Sequence, residues 1–373
     1  MALRTTRGDR GDRGDRGDGG TAVKGRGAPS NLEGRFEAFA RERADDGWEC
    51  EEEALPALKT VVTEERAKSI ITRNDSPDLG FDQSINPYRG CEHGCNYCYA
   101  RPSHAYLGLS PGLDFETRIF AKTNAAELLR GELAARSYRC SPIAIGVNTD
   151  AYQPAERELR ITRSVIEVLA GCEHPFSLIT KNALIERDID LVAPAARKGL
   201  ARAAISVTNL DAELARKLEP RCSAPYRRLE AIRRLADAGI PVCVNVAPVI
   251  PFVTDRHLEE ILERAKEAGA TSAGYIMLRL PHEVAPLFKE WLATHYPLKA
   301  GHVMSLVQQM SGGKDYDSRF GVRQRGTGEF AALIAKRFEV ACRRLGLNGD
   351  DWRAPLDTSR FRPPRTGPQL DLF

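Results

Sequence analysis

Residues 84–102 read SINPYRGCEHGCNYCYARP. The run Ser84–Tyr88 is short and partly apolar, which predicts a strand. Three cysteines follow it within eight residues at the spacing C-x3-C-x2-C, in a chain of 373 residues that contains nine cysteines. Thiolates this close together on one loop can face a common metal centre, and Gly90 and Gly94 give the loop the backbone freedom to surround it. The stretch therefore predicts a metal site at the end of a strand.

Cys91, Cys95 and Cys98 are the predicted metal ligands. A structural zinc ion is normally held by four Cys or His side chains. His93 could supply the fourth, but no second pair of ligands follows the loop. A [4Fe-4S] cluster held by three thiolates leaves one iron open to a small molecule. The pattern favours the cluster, with zinc as the alternative.

The core of the chain alternates short apolar runs with longer amphipathic stretches. The predicted strands are Ser84–Tyr88, Ile143–Asn148, Phe176–Thr180, Ala203–Thr208, Val242–Ala247 and Ala273–Leu278. The predicted helices are Ala125–Arg136, Leu159–Ala170, Arg187–Arg197, Tyr226–Ala238, Asp255–Ala268 and Thr327–Leu345. Strands regularly separated by helices pair in parallel through right-handed crossovers, so the pattern predicts an α/β sheet or a partial barrel. The chemistry is expected at the carboxyl ends of the strands.

Composition shifts divide the chain into five predicted regions. Residues 1–27 contain four tandem Arg-Gly-Asp triplets and are expected to be a disordered tail, because they have no apolar face to bury. The other regions are an N-terminal extension (28–83), the core (84–312), a C-terminal helical extension (313–360) and a flexible tail (361–373).

The overall composition excludes several classes of protein. The 54 basic and 51 acidic residues give a net charge of +3, which is too small to demand nucleic-acid binding. No apolar run approaches the roughly 18 residues that a membrane span requires. The N-terminus lacks the apolar segment of a secretory signal, so we expect a cytoplasmic location, without disulfides and without a membrane.

Several stretches resemble one known family. The cysteine spacing, with Tyr97 just before the third cysteine, resembles the radical S-adenosylmethionine (SAM) superfamily. Residues 84–102, together with NTDAYQPAE (148–156), LITKNALIERDIDLV (178–192), SVTNLD (206–211) and VAPVIPFVTD (246–255), resemble its spore photoproduct lyase-like branch, often described as DNA-repair photolyase-related. The stretch HAYLGLSPGLDFETRIFAK (104–122) is similar to a bacterial group within that branch. The resemblance runs from about Lys24 to the C-terminus.

The resemblance implies an enzyme with a partial (β/α)6 TIM-type barrel of the radical SAM type. It also implies a [4Fe-4S] cluster on the three cysteines and SAM as the second cofactor. In this family an electron from an external donor cleaves SAM to methionine and a 5′-deoxyadenosyl radical, while the protein binds and orients the reactants.

The resemblance further implies that residues at the strand ends bind SAM. Asp150 would face the SAM amine or ribose, Lys181 the carboxylate, and Asn245 with Pro248 the adenine, which Tyr97 would approach mainly through its backbone. The full set of implied SAM-binding residues is Tyr97, Thr149, Asp150, Lys181, Asn182, Ser206, Thr208 and Asn245. Each of these residue types is also common as a helix cap or turn residue.

The chain departs from the family at one position. Spore photoproduct lyases carry a hydrogen-donating cysteine at the end of the second strand, where this chain has Val147 or Asn148. Cys140 precedes that strand, and about six residues at about 3.3 Å each place it roughly 20 Å away. The departure argues against spore photoproduct lyase activity itself, and no catalytic side chain is assigned.

The last residues form a second motif. Gln369, Leu370, Leu372 and Phe373, with Asp371 between the leucines, resemble the pentapeptide that binds the bacterial sliding clamp, and they follow a proline-rich segment. Two apolar anchors and one polar contact are typical of short docking peptides. The alternative is that this apolar end packs on its own domain.

These observations predict a radical SAM enzyme, lyase-like, that acts on a nucleobase or a DNA lesion in DNA repair. The same cluster would serve modification of RNA, a protein or a metabolite. The non-enzymatic alternative is a metal-stabilised adaptor that binds DNA or the sliding clamp.

Overall fold

The structure is a computed structural model that describes residues 25–36, 58–349 and 354–364. The Arg-Gly-Asp triplets and the predicted clamp-binding pentapeptide lie outside the described residues. No helix in the described ranges combines the length and the apolar character that a transmembrane span requires.

Two sheets contain the strands of the described residues. The strands are β1 Val61–Glu65, β2 Ile71–Arg73, β3 Gln83–Ile85, β4 Tyr88–Arg89, β5 Arg118–Lys122, β6 Ile143–Ile145, β7 Phe176–Thr180, β8 Ala201–Ser206, β9 Val242–Val249 and β10 Ser272–Met277. The larger sheet has the order β10-β9-β8-β7-β6-β3-β2, and the smaller has the order β1-β5-β4. All pairs from β3 to β10 in the larger sheet are parallel, whereas β2 pairs antiparallel with β3. Six parallel strands confirm the predicted α/β fold, a partial barrel with extensions.

Helices connect the parallel strands and pack in a row against them. They are α1 Leu113–Thr117, α2 Ala125–Ala134, α3 Glu156–Leu159, α4 Ile161–Gly171, α5 Ile189–Arg197, α6 Ala212–Leu218, α7 Pro225–Asp237, α8 Leu258–Glu267, α9 Val284–His295, α10 Pro297–Met310 and α11 Gly328–Leu345. Three 3-10 segments, Arg101–Leu107, Ala183–Asp188 and Asp255–His257, complete the set. Helix α2 contacts α4, α4 contacts α5, α7 contacts α8 and α8 contacts α11. Helices α5 and α7 contact β8, α8 contacts β9 and α11 contacts β10.

Two predicted strands were too long. The strand Ser84–Tyr88 is two separate strands, because Asn86-Pro87 interrupts it and proline has no N–H for a sheet hydrogen bond. The second half, β4, pairs with β5 in the smaller sheet. The strand Ile143–Asn148 ends at Ile145, because Gly146 has a φ of 83° and turns the chain out of the extended conformation.

Other elements were missed by the sequence pattern. The strands β1 and β5 form a small sheet in which all of β1 is at least partly exposed, so its sequence carries little burial pattern. Helices α9 and α10 were not predicted, although α9 buries Leu287, Phe288 and Trp291. This helix belongs to a second apolar cluster that also contains Tyr97 and Leu218. Its partners are distant in sequence, which local periodicity does not report.

The predicted C-terminal tail begins with residues that touch the core. The Phe361 ring lies 5.0 Å from the His174 ring and 5.6 Å from the Tyr138 ring, centroid to centroid. The Arg362 N–H donates to the carbonyl oxygen of Cys172 at 2.8 Å. The chain is therefore anchored as far as Arg362, at the amino ends of the parallel strands.

Candidate active site

The cysteine loop, residues 90–100, connects β4 to the first 3-10 segment. Gly90 and Gly94 adopt φ values of 77° and 67°, which side chains with a Cβ rarely take. The Arg101 guanidinium contacts the loop directly, because its Nε donates to the carbonyl oxygen of Cys95 at 2.8 Å. Its Nη2 lies 2.5 Å from the Glu116 carboxylate. Both charged side chains are fully buried. The loop is thus fixed by a buried ion pair.

The last described residues of the predicted tail, 25–27, and the start of the N-terminal extension pack against the same loop from outside. The Glu116 carboxylate accepts hydrogen bonds from the backbone N–H groups of Gly27 and Ala28 at 3.0 and 2.7 Å. A Cβ placed on Gly27 would lie 1.5 Å from the carbonyl oxygen of Gly94. The two backbone segments therefore approach each other at a distance that only glycine permits at position 27. Residues near position 27 therefore form part of the cysteine loop's packing.

The three predicted ligands face one cleft. Cys91, Cys95 and Cys98 all line it, and all are free thiols. Burial raises the pKa of Cys98 to about 12. The pKa of Cys95 is instead lowered to about 7, because its hydrogen bond with Cys222 and the nearby charge of Lys181 outweigh the opposing effect of burial.

The spacing of the thiols bears on which metal they fit. Thiolates on one Zn²⁺ ion lie about 3.8 Å apart, given Zn–S bonds of about 2.3 Å. Among the described residues, the group of three or more potential ligand atoms within 4.8 Å of one another is Cys95, Glu219 and Cys222. Cys91, Cys95 and Cys98 do not form such a group, which suits a cluster in which each thiolate binds a different iron. The donor set therefore fits a [4Fe-4S] cluster better than the zinc alternative.

The cleft is formed by the cysteine loop and the carboxyl ends of the parallel strands. It has about 860 Å³ of space, including its open mouth, which is within the range of small-molecule sites. The predicted SAM-binding residues that line it are Tyr97, Asp150, Lys181, Ser206 and Asn245, with Pro248 beside them. Most of the predicted set thus meets the three thiols in one place.

Three predicted residues lie outside the cleft lining and have structural hydrogen bonds. Thr149 is buried, and its hydroxyl donates to the carbonyl oxygen of Tyr88 at 2.7 Å. The Asn182 side chain caps the 3-10 segment by accepting from the N–H of Leu184 at 3.0 Å. Thr208 is also buried, and its hydroxyl is 3.2 Å from Glu219. The structure gives these side chains the role of caps and braces.

Asp150 connects the strand ends to the cysteine loop. Its carboxylate accepts from the Thr180 hydroxyl at 2.6 Å and from the N–H of Lys181 at 2.8 Å, and it lies 3.3 Å from His93 Nδ1. Burial opposes ionisation of Asp150, but His93 and these hydrogen bonds lower its pKa to about 2. Burial likewise opposes protonation of His93, but Asp150 and Cys91 raise its pKa well above the ordinary value. His93 is therefore engaged with Asp150, which leaves it poorly placed as a fourth zinc ligand.

Lys181 carries a positive charge into the cleft. Its Nζ lies 6.0 Å from the centre of the Tyr97 ring, and no carboxylate lies within 4.0 Å of it in the described part of the chain. Burial alone would lower the pKa of Lys181, but Cys95 and other nearby acidic groups raise it. This ammonium is a charge available to a ligand.

The Tyr97 side chain is held by a buried hydrogen bond next to the cleft. Its hydroxyl donates to the Glu219 carboxylate, which is also 2.5 Å from the Arg228 guanidinium. The side chain is thereby part of a buried hydrogen-bond network, and Tyr97 also lines the cleft.

Several residues of the cleft were not predicted. Tyr99 is 43% exposed, and the Arg279 guanidinium lies 4.2 Å from the centre of its ring. Arg279 directly follows a predicted strand, so its position at a carboxyl end was a usable signal, and Tyr99 adjoins the third cysteine. Val147 and Asn148 also line the cleft, whereas Cys140 precedes β6 and does not. Cys140 therefore lies outside the cleft that the three thiols line.

Comparison with known proteins supports the same assignment. Residues 85–265 match the family model of the radical SAM superfamily. An uncharacterised protein of Mycobacterium tuberculosis is 41% identical over 221 residues, which cover 59% of this chain and 65% of that protein. An uncharacterised protein of Methanocaldococcus jannaschii is 25% identical over 240 residues, which cover 64% of this chain and 85% of that protein.

Solved structures show the same architecture. A spore photoproduct lyase complexed with a dinucleoside spore photoproduct superposes with a TM-score of 0.55 at 17% identity, covering 77% of this chain and 80% of that chain. At this identity the likeness concerns the fold. The matched residues 85–265 include the cysteine loop that follows β4, and the superfamily they match is a class of enzymes whose cofactors are a [4Fe-4S] cluster and SAM.

Proposed function

We propose that this protein is a radical SAM enzyme that holds a [4Fe-4S] cluster on Cys91, Cys95 and Cys98. The observation that carries the proposal is that the three thiols open onto the same cleft as Asp150, Lys181, Ser206 and Asn245. When bound, the cluster and SAM supply a 5′-deoxyadenosyl radical by one-electron cleavage of SAM, with the electron coming from an external donor. The chain itself supplies binding, orientation and exclusion of water.

Each polar residue of the cleft has a distinct role in that proposal. Lys181 binds the carboxylate of SAM, because its ammonium has no carboxylate partner among the described residues. Asp150 is already held by Thr180, His93 and two backbone N–H groups, so it fixes the Lys181 backbone and the cysteine loop relative to each other. The side chains of Ser206 and Asn245 make no hydrogen bond within the described ranges. They are therefore available to donate hydrogen bonds to, and accept them from, the nucleoside part of SAM.

We further propose that the substrate is a nucleobase or a DNA lesion. Tyr99 and Arg279 support this, since an aromatic ring beside a guanidinium can stack on a base and neutralise a phosphate. The spore photoproduct lyase of similar fold binds a dinucleoside lesion. Val147 and Asn148 stand where that family has its hydrogen-donating cysteine, so the reaction proposed here is not spore photoproduct cleavage. RNA, a protein or a metabolite remain the alternative substrates.

Anaerobic reconstitution tests the cofactor assignment. We expect about four iron and four sulfide per chain, a brown colour, and 5′-deoxyadenosine on addition of reductant and SAM. The variant with all three cysteines changed to alanine should bind no iron, while the Cys140→Ser variant should load normally. A colourless protein that binds zinc would contradict the proposal and favour the adaptor alternative.

The substrate assignment needs its own experiment. The loaded enzyme is incubated with reductant, SAM and either damaged or undamaged DNA, and the nucleosides are analysed by mass spectrometry. We expect SAM-dependent change of a nucleoside in damaged DNA, reduced at least tenfold by Arg279→Met. Turnover with RNA or a small metabolite but not with DNA would refute the DNA substrate and leave the radical chemistry in place.

We also propose that the C-terminal pentapeptide binds the sliding clamp through Gln369, Leu370, Leu372 and Phe373. Arg362 is anchored to the core, so the motif starts seven residues beyond a fixed point. Such a tether would raise the enzyme's local concentration near DNA. The full chain should bind purified clamp with micromolar affinity, and Leu372→Ala with Phe373→Ala should abolish binding. Equal binding by this double variant would disprove the docking motif.

A further inference from the structure

The thiol of Cys222 lies against the predicted cluster ligand Cys95. Their Sγ atoms are 3.7 Å apart, although the two residues are 127 positions apart in the chain. Cys222 lies in the connection between α6 and α7 and does not line the cleft. It is therefore not placed to contact SAM or substrate, and its contact with Cys95 needs another explanation.

Flanking contacts hold the two thiols together. The N–H of Asn96 donates to the carbonyl oxygen of Leu218 at 3.1 Å, and the N–H of Arg221 donates to that of His93 at 3.3 Å. The Arg221 guanidinium also lies 3.1 Å from the Glu92 carboxylate. The segment before Cys222 is thus fastened to the cysteine loop on both sides of Cys95, so the thiol contact is imposed by the fold.

The thiol pair is not part of a separate metal site. Glu219 is the third potential ligand near Cys95 and Cys222. One of its carboxylate oxygens is 2.5 Å from the Arg228 guanidinium, and the other accepts from Tyr97 and from Thr208. A carboxylate engaged in this way is neutralised already and has little to offer a cation. What remains is a pair of facing thiols.

We propose that Cys95 and Cys222 form a reversible disulfide in the iron-free protein. The bond requires the sulfur atoms to approach from 3.7 Å to about 2.05 Å, which side-chain rotation can provide. With a peroxide as oxidant, each thiol gives up one proton and one electron, the S–S bond forms, and hydrogen peroxide is reduced to two water molecules. A dithiol reductant reverses the reaction by thiol–disulfide exchange.

The disulfide would protect a cluster ligand while no cluster is bound. Sulfinic and sulfonic acids of cysteine are not restored by thiols, whereas a disulfide is. Cys222 would therefore guard Cys95 during oxidative loss of iron, and reduction would return the loop to a state that can bind iron again. In the iron-loaded protein Cys95 is a ligand and the disulfide does not form. The statement that iron loading prevents the disulfide rests on the proposed cluster, but it does not depend on SAM cleavage or on the substrate.

Peptide mapping of the iron-free full-length chain tests the bond. The protein is treated with one equivalent of hydrogen peroxide, alkylated and digested with trypsin without reduction. We expect peptide 90–118, which contains Cys95, linked to peptide 222–227 in more than half of the chains, with fragmentation placing the link at Cys95. Dithiothreitol should remove it. Recovery of peptide 222–227 with an alkylated cysteine would overturn the proposal.

Two variants complete the test. Cys140→Ser should keep the disulfide link, whereas Cys222→Ser should lack it. After treatment with peroxide and then dithiothreitol, the Cys222→Ser variant should regain at least threefold less iron and sulfide than the wild type. Equal recovery by Cys222→Ser would overturn the protective role. The same mapping on iron-loaded protein should show no link, and a link there would overturn the claim that loading shields Cys95. Assay of 5′-deoxyadenosine on untreated protein tests the proposed function separately.

Discussion

The two ends of the parallel sheet differ in how their polar side chains are partnered. At the amino ends, His174 is fully buried, with Nε2 2.7 Å from the Tyr138 hydroxyl and Nδ1 2.9 Å from the carbonyl oxygen of Pro175. The Tyr138 hydroxyl also lies 2.8 Å from Gln83 Oε1, and the Phe361 ring packs against His174. At the carboxyl ends, Lys181 and Arg279 face the cleft without a carboxylate partner among the described residues.

This difference separates structural polar groups from binding groups. A buried polar group that is fully hydrogen-bonded stabilises the fold and has no capacity left for a ligand. A charge in a cleft without a partner contributes little to folding and can bind an opposite charge. Both ring nitrogens of His174 already have hydrogen-bond partners, so this histidine is a structural group. The partners of a residue, more than its type, therefore indicate its role.

The largest expected effect comes from breaking the ion pair beneath the cysteine loop. In Glu116→Gln the fully buried Arg101 loses its charge partner, so we expect a loss of about 3–5 kcal/mol in the free energy of unfolding. Iron bound after reconstitution should fall with it. Denaturant unfolding measures the stability and an iron assay measures the bound iron. The control variant Glu260→Gln, which breaks an exposed ion pair with Arg264, should lower the free energy of unfolding by about 0.5 kcal/mol or less.

A milder variant keeps this prediction testable if Glu116→Gln does not fold. Gly27→Ala places a methyl group against the carbonyl oxygen of Gly94 and leaves the ion pair intact. It should reduce the bound iron with a smaller loss of stability. Full iron loading in both variants would show that the clamp on the loop is unnecessary for the metal site.

Lys181→Met separates binding from stability. The lost charge should weaken SAM binding by about 10- to 100-fold, since a hydrogen bond to a charged group contributes about 1.5–3 kcal/mol. The free energy of unfolding should change by less than about 1 kcal/mol. Equilibrium dialysis with SAM on iron-loaded protein measures the first quantity. Lys198→Met, which removes an exposed ion pair with Glu173 near the opposite end, should leave SAM binding unchanged.

His174 should make the amino end sensitive to acid. Burial lowers its pKa to about 4, against 6.5 as the ordinary value. As the pH falls through the window from about 6.5 to 4, the unfolded chain takes up the proton first, so the fold loses stability. This residue should account for about 2 kcal/mol between pH 7 and pH 5. Urea unfolding at both pH values should show a smaller difference in His174→Gln, and an unchanged difference would refute the assignment.

Cys140→Ser should have the smallest effect. The residue is half-buried at the amino side of β6 and is not in the cleft, so stability should change by less than about 0.5 kcal/mol. The yield of 5′-deoxyadenosine and of any product should equal that of the wild type. A loss of product formation with normal iron loading would mean that Cys140 reaches the substrate radical.

Much of the fold was predictable because it depends on local patterns. The parallel strands β7, β8, β9 and β10 were predicted to within about two residues at either end, since short apolar runs between amphipathic helices have few other solutions. The error at Ser84–Tyr88 arose from reading through Asn86-Pro87. The smaller sheet was missed because β1 is mostly exposed and acquires its partner, β5, from a distant stretch.

The site divides in the same way. Strand ends in a parallel sheet converge, and the family resemblance implied that Asp150, Lys181, Ser206 and Asn245 at these ends lie near the cysteines. Thr149, Asn182 and Thr208 occupy equivalent positions in the sequence but point into hydrogen bonds that only the packed structure creates. Arg279 occupies such a strand end too, and was overlooked because it follows the last predicted strand.

The sequence by itself determined the cysteine spacing, the order of strands and helices, and the glycines that allow the loop to turn, because all of these depend on neighbours in the chain. The tertiary structure alone decided that Cys222 meets Cys95, that Glu116 clamps residues near position 27 to the loop, and that Lys181 lacks a carboxylate partner among the described residues. Contacts between segments tens to more than a hundred residues apart are set by how the layers pack, and no local pattern encodes that packing.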